Sequence, residues 1–116
     1  MLNRAALIVR YKPPFVDWIN AVDPAPRSHI LTLAEVNEEN TVYLVEVEDE
    51  QELARWLKRN HAALFEQELS GWYTDPGLWP RDRSLKMLRE WCSLELHTVV
   101  VDTGDTLLHD DEFDAE

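Results

Sequence analysis

The hydrophobic positions along the chain fall into two periods, one typical of strands and one typical of helices. Three short runs rich in β-branched residues predict strands at Arg4 to Tyr11, Thr41 to Glu48 and Leu94 to Asp102. The segments between these runs place apolar side chains three and four residues apart, which is the spacing of one helical face. The pattern therefore predicts three strands separated by helices.

Local start and stop signals locate these helices. The first helix begins at Pro14, since proline fits the first turn of a helix. Capping patterns, in which Thr or Asp is followed three residues later by Glu, begin a short helix at Thr32 and the longest helix at Asp49. Gly71 is expected to end the longest helix, and a third main helix is predicted to begin near Asp82.

This order of elements predicts an α/β (α+β) two-layer sandwich, in which a small three-stranded mixed sheet packs against three main helices. If the first two strands are neighbours, the right-handed crossover rule makes them a parallel pair. We expect a single globular domain over residues 1–103, because a chain of 116 residues with 45% hydrophobic content can form one core. The edges of so small a sheet need covering by a helix, by charged side chains or by a second subunit, and a homodimer is one natural solution.

The charge of the chain is acidic and unevenly distributed. The formal net charge is -12, and residues 102–116 contain seven acidic residues without a Lys or Arg. Residues 104–116 are therefore predicted to form an acidic, flexible tail. The lack of clustered Lys and Arg argues against a nucleic-acid partner. No apolar run is long enough to cross a membrane and no signal-peptide pattern is present, so we expect a cytoplasmic protein without a membrane partner.

The sequence "VVVDTGDTLL" around Asp102 looks like the catalytic strand of an aspartic protease or of a haloacid-dehalogenase-type phosphatase. Too few residues follow it to build the rest of a protease site, and Gly104 occupies the position where the phosphatase needs a second carboxylate. Asp102 is therefore expected to end a strand in a turn. The spacing of His, Cys and Gly residues offers neither a zinc site nor a phosphate loop, so we predict no catalytic residue, metal or cofactor.

The loop "GWYTDPGLWPRDR" is unusually aromatic for a connection between two helices. In one interpretation it folds back and completes the core, with a turn at the Asp-Pro-Gly sequence. In the other, its aromatic and basic side chains form a patch that binds a protein partner or a second subunit. The residues of this candidate patch are Trp72, Tyr73, Trp79, Arg81 and Arg83.

Two functions remain open on this basis. The first is a protein-interaction module without enzymatic activity that self-associates as a homodimer and binds a protein partner. The alternative is a protein or enzyme that binds a small anionic ligand in a pocket between the 71–83 loop and the sheet. The alternative would use Arg10, Lys12, Arg81 and Arg83 to bind the anion, with His97 as a possible base.

Three segments, "VRYKPPFVDWIN", "TVYLVE" and "GWYTDPGLWPRDRSLKMLREWCSLELHTVVVD", resemble a family of small acidic bacterial proteins of uncharacterised function. The Trp-Tyr-Thr-Asp and Leu-Trp-Pro sequences are the most specific part of this resemblance. The resemblance implies no activity and assigns no role to any residue.

Overall fold

The computed structural model describes residues 1–25 and 29–110. Residues 111–116, the end of the predicted acidic tail, lie outside this description, and the described part of that tail, residues 104–110, is exposed. The predicted α/β class, with one three-stranded sheet and three main helices, is confirmed. The strands and α-helices, in chain order, are β1 (Ala5–Tyr11), α1 (Pro13–Ala21), α2 (Leu33–Val36), β2 (Thr41–Val45), α3 (Glu50–Ser70), α4 (Leu85–Trp91) and β3 (Cys92–His97), and a short 3-10 helix, Pro76–Leu78, lies between α3 and α4.

The sheet has the strand order β2-β1-β3, and β1 is antiparallel to both of its neighbours. The expected parallel pairing of the first two strands is therefore wrong, and the sheet is antiparallel throughout instead of mixed. Asn37, at the end of α2, explains the difference: its side-chain oxygen accepts from the Tyr11 N–H at 2.9 Å, and its amide donates to the Tyr11 carbonyl at 3.0 Å. These two hydrogen bonds hold the chain beside the C-terminal end of β1. β2 therefore begins opposite Val9 and runs antiparallel to β1.

One face of the sheet carries the hydrophobic core. Alternate side chains of β1 point into it, because successive residues of a strand face opposite sides of the sheet. Leu7 and Val9 are fully buried there, and Val45 on β2 and Cys92 on β3 are nearly so. The helices contribute the largest buried side chains to the same core, namely Phe15 and Ile19 from α1, Leu57, Phe65 and Leu69 from α3, and Leu88 from α4.

The last helix begins later in the chain than the sequence pattern predicts, and the last strand begins earlier, at Cys92. The α4 helix begins at Leu85, because the Ser84 hydroxyl accepts from the Met87 N–H at 3.2 Å and caps the helix there. The Lys12 N–H donates to the Trp91 carbonyl at 2.8 Å and draws this segment against the end of β1, so Cys92 begins a strand and does not continue the helix.

The last strand ends at His97, five residues before the predicted end at Asp102. Beyond it, the Leu2 N–H donates to the Val100 carbonyl at 2.6 Å, so the chain stays close to the residues before β1 for a short distance. Asp102 then forms the expected turn, since its carboxylate accepts from the Gly104 N–H at 2.8 Å.

The predicted end of α3 is confirmed, with Gly71 at its C-cap. Within the described ranges, no helix combines the length and apolar character needed to span a bilayer.

We expect Leu57→Ala to destabilise the fold by about 2–5 kcal/mol, because Leu57 is 0% exposed and its truncation leaves a cavity under the sheet. Leu107→Ala is the matched control: Leu107 is 91% exposed, so the same truncation is expected to change stability by less than about 0.5 kcal/mol. Urea unfolding followed by circular dichroism measures both values. Equal losses in the two variants would contradict the assignment of Leu57 to the core.

Candidate functional site

A buried carboxylate, Glu68, is the main polar group in the interior of the described chain. It lies on α3 three residues after Phe65 and four after Leu64, so the helix directs it to the same side as these core residues. Glu68 is only 3% exposed to solvent. No basic side chain in the described ranges comes within ion-pair distance of it. The carboxylate must therefore be stabilised by hydrogen bonds.

Two tyrosine hydroxyls supply these hydrogen bonds, one to each oxygen of Glu68. Tyr11 on β1 donates to Oε1 at 2.5 Å, and Tyr43 on β2 donates to Oε2. Trp72, just after α3, donates from its indole Nε1 to the Tyr11 hydroxyl oxygen at 3.2 Å. The four side chains form a continuous hydrogen-bonded cluster, here called the Glu68 cluster, that connects α3 to two strands of the sheet.

The environment of this cluster holds its tyrosines in the neutral, donating form. Burial is the largest cause that raises the pKa of Tyr11 and of Tyr43 above the ordinary tyrosine value, and the hydrogen bond to Glu68 and its negative charge raise both further. Burial, with a smaller contribution from the charge of Glu68, also raises the pKa of the nearby Cys92 thiol to about 12. A thiol with so high a pKa is a poor nucleophile, so Cys92 serves as a packing residue.

A cavity of about 250 Å³ opens beside the Glu68 cluster. Its walls come from the end of β1, the beginning of β2 and the C-terminal turn of α3. All four members of the cluster line it. The lining residues are Tyr11, Thr41, Tyr43, Gln67, Glu68, Gly71 and Trp72.

The aromatic loop packs against the protein's own core, as in the first of its two interpretations. Tyr73 donates from its hydroxyl to the Ile19 carbonyl at 2.6 Å, and Trp79 donates from its indole to the Tyr73 carbonyl at 2.7 Å. Trp18 on α1 donates in return to the Leu78 carbonyl at 3.0 Å and stands edge-on to Tyr73. The expected turn is present too, since the Asp75 carboxylate accepts from the Gly77 N–H. The loop therefore fastens α1 to the end of α3.

The structure places the basic residues proposed for an anion pocket at separate positions. Lys12 donates to the Arg89 carbonyl at 2.8 Å on the surface. Arg83 pairs with Glu66 at 3.1 Å and lies over the Trp79 ring. Arg81 is exposed.

The remaining two residues of that pocket, Arg10 and His97, lie on the sheet. Arg10 donates to the Glu95 carboxylate at 3.2 Å, and His97 contacts the other oxygen of the same carboxylate at 2.5 Å. These two contacts lower the pKa of Glu95, with His97 as the larger cause. Both residues belong to the face of the sheet opposite the core, so the structure does not bring them to the aromatic loop.

This opposite face, here called the outer face, is partly apolar, and several of its described side chains are exposed. The strand register places Ile8 between Val42 and Glu95, and Ala6 between Leu44 and His97. Val42 and Leu44 are 54% and 51% exposed, which is unusual for aliphatic side chains in a sheet. Val99 and Val101 follow β3 at the same two-residue spacing as Glu95 and His97, and they are also exposed.

Sequence reasoning missed both the Glu68 cluster and the outer face. Glu68 could have been found, because it is the acidic residue at a position of α3 where the apolar spacing of Leu64 and Phe65 calls for a core residue. The outer face could also have been found, because "TVYLV" is apolar at consecutive positions and not only at alternate ones. That Tyr11 and Tyr43 are the hydrogen-bond donors to Glu68 depends on the strand register, which no local sequence pattern predicts.

Comparisons of the chain with protein-family models, with curated proteins and with solved structures return no match. The resemblance to a bacterial family therefore stays a prediction. Among the residues that the structure describes, no group of three or more His, Cys, Asp or Glu side chains is arranged to hold a metal ion. Function has to be inferred from the geometry of the outer face and of the Glu68 cluster.

The raised pKa values of Tyr11 and Tyr43 predict that the fold loses stability as the pH rises above about 10. The folded chain keeps two phenol protons that the unfolded chain releases, so alkali favours unfolding. Tyr43→Phe keeps the ring but removes one of these protons, and it should make the decline shallower by about 1.4 kcal/mol per pH unit.

Urea unfolding at a series of pH values measures this slope. Tyrosinate absorbance gives an independent check on the three tyrosines of the chain. At about pH 11 the folded protein should show ionisation of no more than one of them. Ionisation of two or three tyrosines before circular dichroism reports unfolding would contradict the prediction.

Proposed function

We propose that the protein is an interaction module that acts as a homodimer, and that the outer face of its sheet joins the two copies. The observation that carries this proposal is the exposure of Val42 and Leu44, which are 54% and 51% exposed on the sheet face opposite the core. Apolar side chains grouped on one face are typical of a surface that meets another protein.

Charge supports the choice of a second copy as the partner. The chain as a whole carries a net charge of -12, so two copies repel each other over most of their surface. On the outer face, positive and negative charges are balanced by comparison. Arg4 lies 3.8 Å from Glu46 at one end of this face, and Arg10 lies 3.2 Å from Glu95 at the other. Two such faces can approach each other without the repulsion that the acidic surface produces elsewhere.

The register of the sheet favours one arrangement of the two copies. A two-fold axis in the plane of the interface, perpendicular to β1, stacks the Ala6 row of one copy on the Ile8 row of the other. Small Ala6 then meets large Ile8, and Leu44 meets Val42. In the same arrangement His97 faces the Glu95 carboxylate of the second copy, which adds a contact of opposite charge when the imidazole is protonated.

The double variant Val42→Glu, Leu44→Glu is expected to weaken dimerisation by at least about 100-fold, because dimer formation would bury two carboxylates in each copy without partners. Sedimentation velocity over a concentration series measures the dissociation constant. Leu107→Glu is the matched control, since it adds a charge at a leucine that is 91% exposed and lies outside the strands. A wild-type chain that stays monomeric at every concentration, or equal weakening by the control, would overturn the proposal.

A further inference from the structure

The Glu68 cavity has a chemical character that is independent of the outer face. We infer that it binds a small organic cation, namely an alkylammonium group. The cavity volume of about 250 Å³ lies below the range of pockets that hold drug-sized ligands. It therefore suits a head group on a short chain and not a large molecule.

The negative charge of Glu68 gives the first reason for a cation. Each oxygen of a carboxylate can accept two hydrogen bonds, and here each receives one, from Tyr11 and from Tyr43. One acceptor position on each oxygen therefore remains for a ligand. Within the described ranges no basic side chain pairs with Glu68. An ammonium group in the cavity would supply the counter-charge that a buried carboxylate otherwise lacks.

The donors of the cluster give the second reason, because they are already used. The hydroxyl protons of Tyr11 and Tyr43 both point to Glu68, and the indole proton of Trp72 points to the Tyr11 oxygen. These three side chains consequently offer a ligand only acceptor oxygens and aromatic rings. Aromatic rings attract cations through their negative faces. An anion would find neither charge complementarity nor a free proton on any of these three side chains.

The surroundings give the third reason. A second cavity of about 300 Å³ shares Trp72 with the first, and its other walls are Val36 and three glutamates, Glu35, Glu38 and Glu39. The Asn37 side chain fixes this acidic segment to the end of β1 through its two bonds to Tyr11. Negative charge in this neighbouring cavity raises the local concentration of cations. Glu35 is already paired with His29 and Thr32, so a ligand with a second ammonium group would meet Glu38 and Glu39 there.

Titration calorimetry with 1,4-diaminobutane, butylamine and butyrate at equal ionic strength tests the inference. The diamine is expected to bind more tightly than butylamine, and butyrate should give no heat of binding. Nα-acetyl-lysine amide, used alongside, distinguishes a free amine from the side chain of a protein as the source of the ammonium group. Binding of butyrate as strong as that of butylamine, or no binding of either amine, would overturn the inference.

Variants assign the binding to this cavity. Glu68→Gln keeps the size of the side chain and removes its charge, so it should weaken diamine binding by at least tenfold. Glu66→Gln is the matched control, because it makes the same change two residues earlier on α3 at a side chain that is 40% exposed. The control should bind the diamine within about threefold of the wild type. Equal weakening by both variants would mean that only the general acidity of the chain attracts the amine, and would overturn the inference.

A third variant keeps the test valid if Glu68→Gln does not fold. Thr41 lines the cavity from the exposed edge of β2, so Thr41→Tyr places a ring in the cavity and leaves Glu68 and its two phenols intact. This variant should fold, as judged by circular dichroism, and should lose diamine binding by at least tenfold. Unchanged binding by a folded Thr41→Tyr protein would place the amine elsewhere and overturn the inference.

Discussion

The carboxylate of Glu68 is the constraint on which the arrangement of helix and sheet depends. It is buried, it accepts a hydrogen bond on each oxygen, and its two donors, Tyr11 and Tyr43, come from adjacent strands. A buried carboxylate that loses a hydrogen-bond donor is strongly destabilised. The Glu68 cluster therefore fixes the position of α3 along the sheet. The same requirement leaves the cavity beside it with a fixed shape and a fixed charge.

The two surfaces that carry the proposals share β1 and β2 but have opposite characters. The outer face is partly apolar with balanced charges, and it consists of strands alone. The Glu68 cavity is small, aromatic and acidic, and three different elements build it. Tyr43 and its neighbours Val42 and Leu44 connect them, because alternate residues of β2 face the cavity and the outer face. A ligand that binds in the cavity and restricts the motion of β2 would therefore also restrict Val42 and Leu44, which lie in the proposed dimer interface.

The sequence was sufficient for the elements whose signals are local. The capping pair Thr32 and Glu35 forms as predicted, and the start signals at Pro14 and Asp49 placed the beginnings of α1 and α3 to within one residue. Interactions between distant residues decided the rest. The direction of β2 depends on Asn37 bonding to Tyr11, and the beginning of β3 depends on Lys12 bonding to Trp91. The aromatic loop was recognised as important, but only its contacts with Ile19 and Leu78 show that it closes the core.

The central position of β1 has a consequence for how the chain folds during synthesis. β1 is made near the beginning, yet one of its two neighbours, β3, is among the last elements, and the Arg10–Glu95 contact joins residues 85 positions apart. Contacts so distant along the chain form slowly, because a long loop must close before they are made. A ribosome-bound chain would therefore hold β1 with one edge open until β3 emerges. During that interval the acidic residues of the intervening segments keep neighbouring nascent chains apart by charge repulsion.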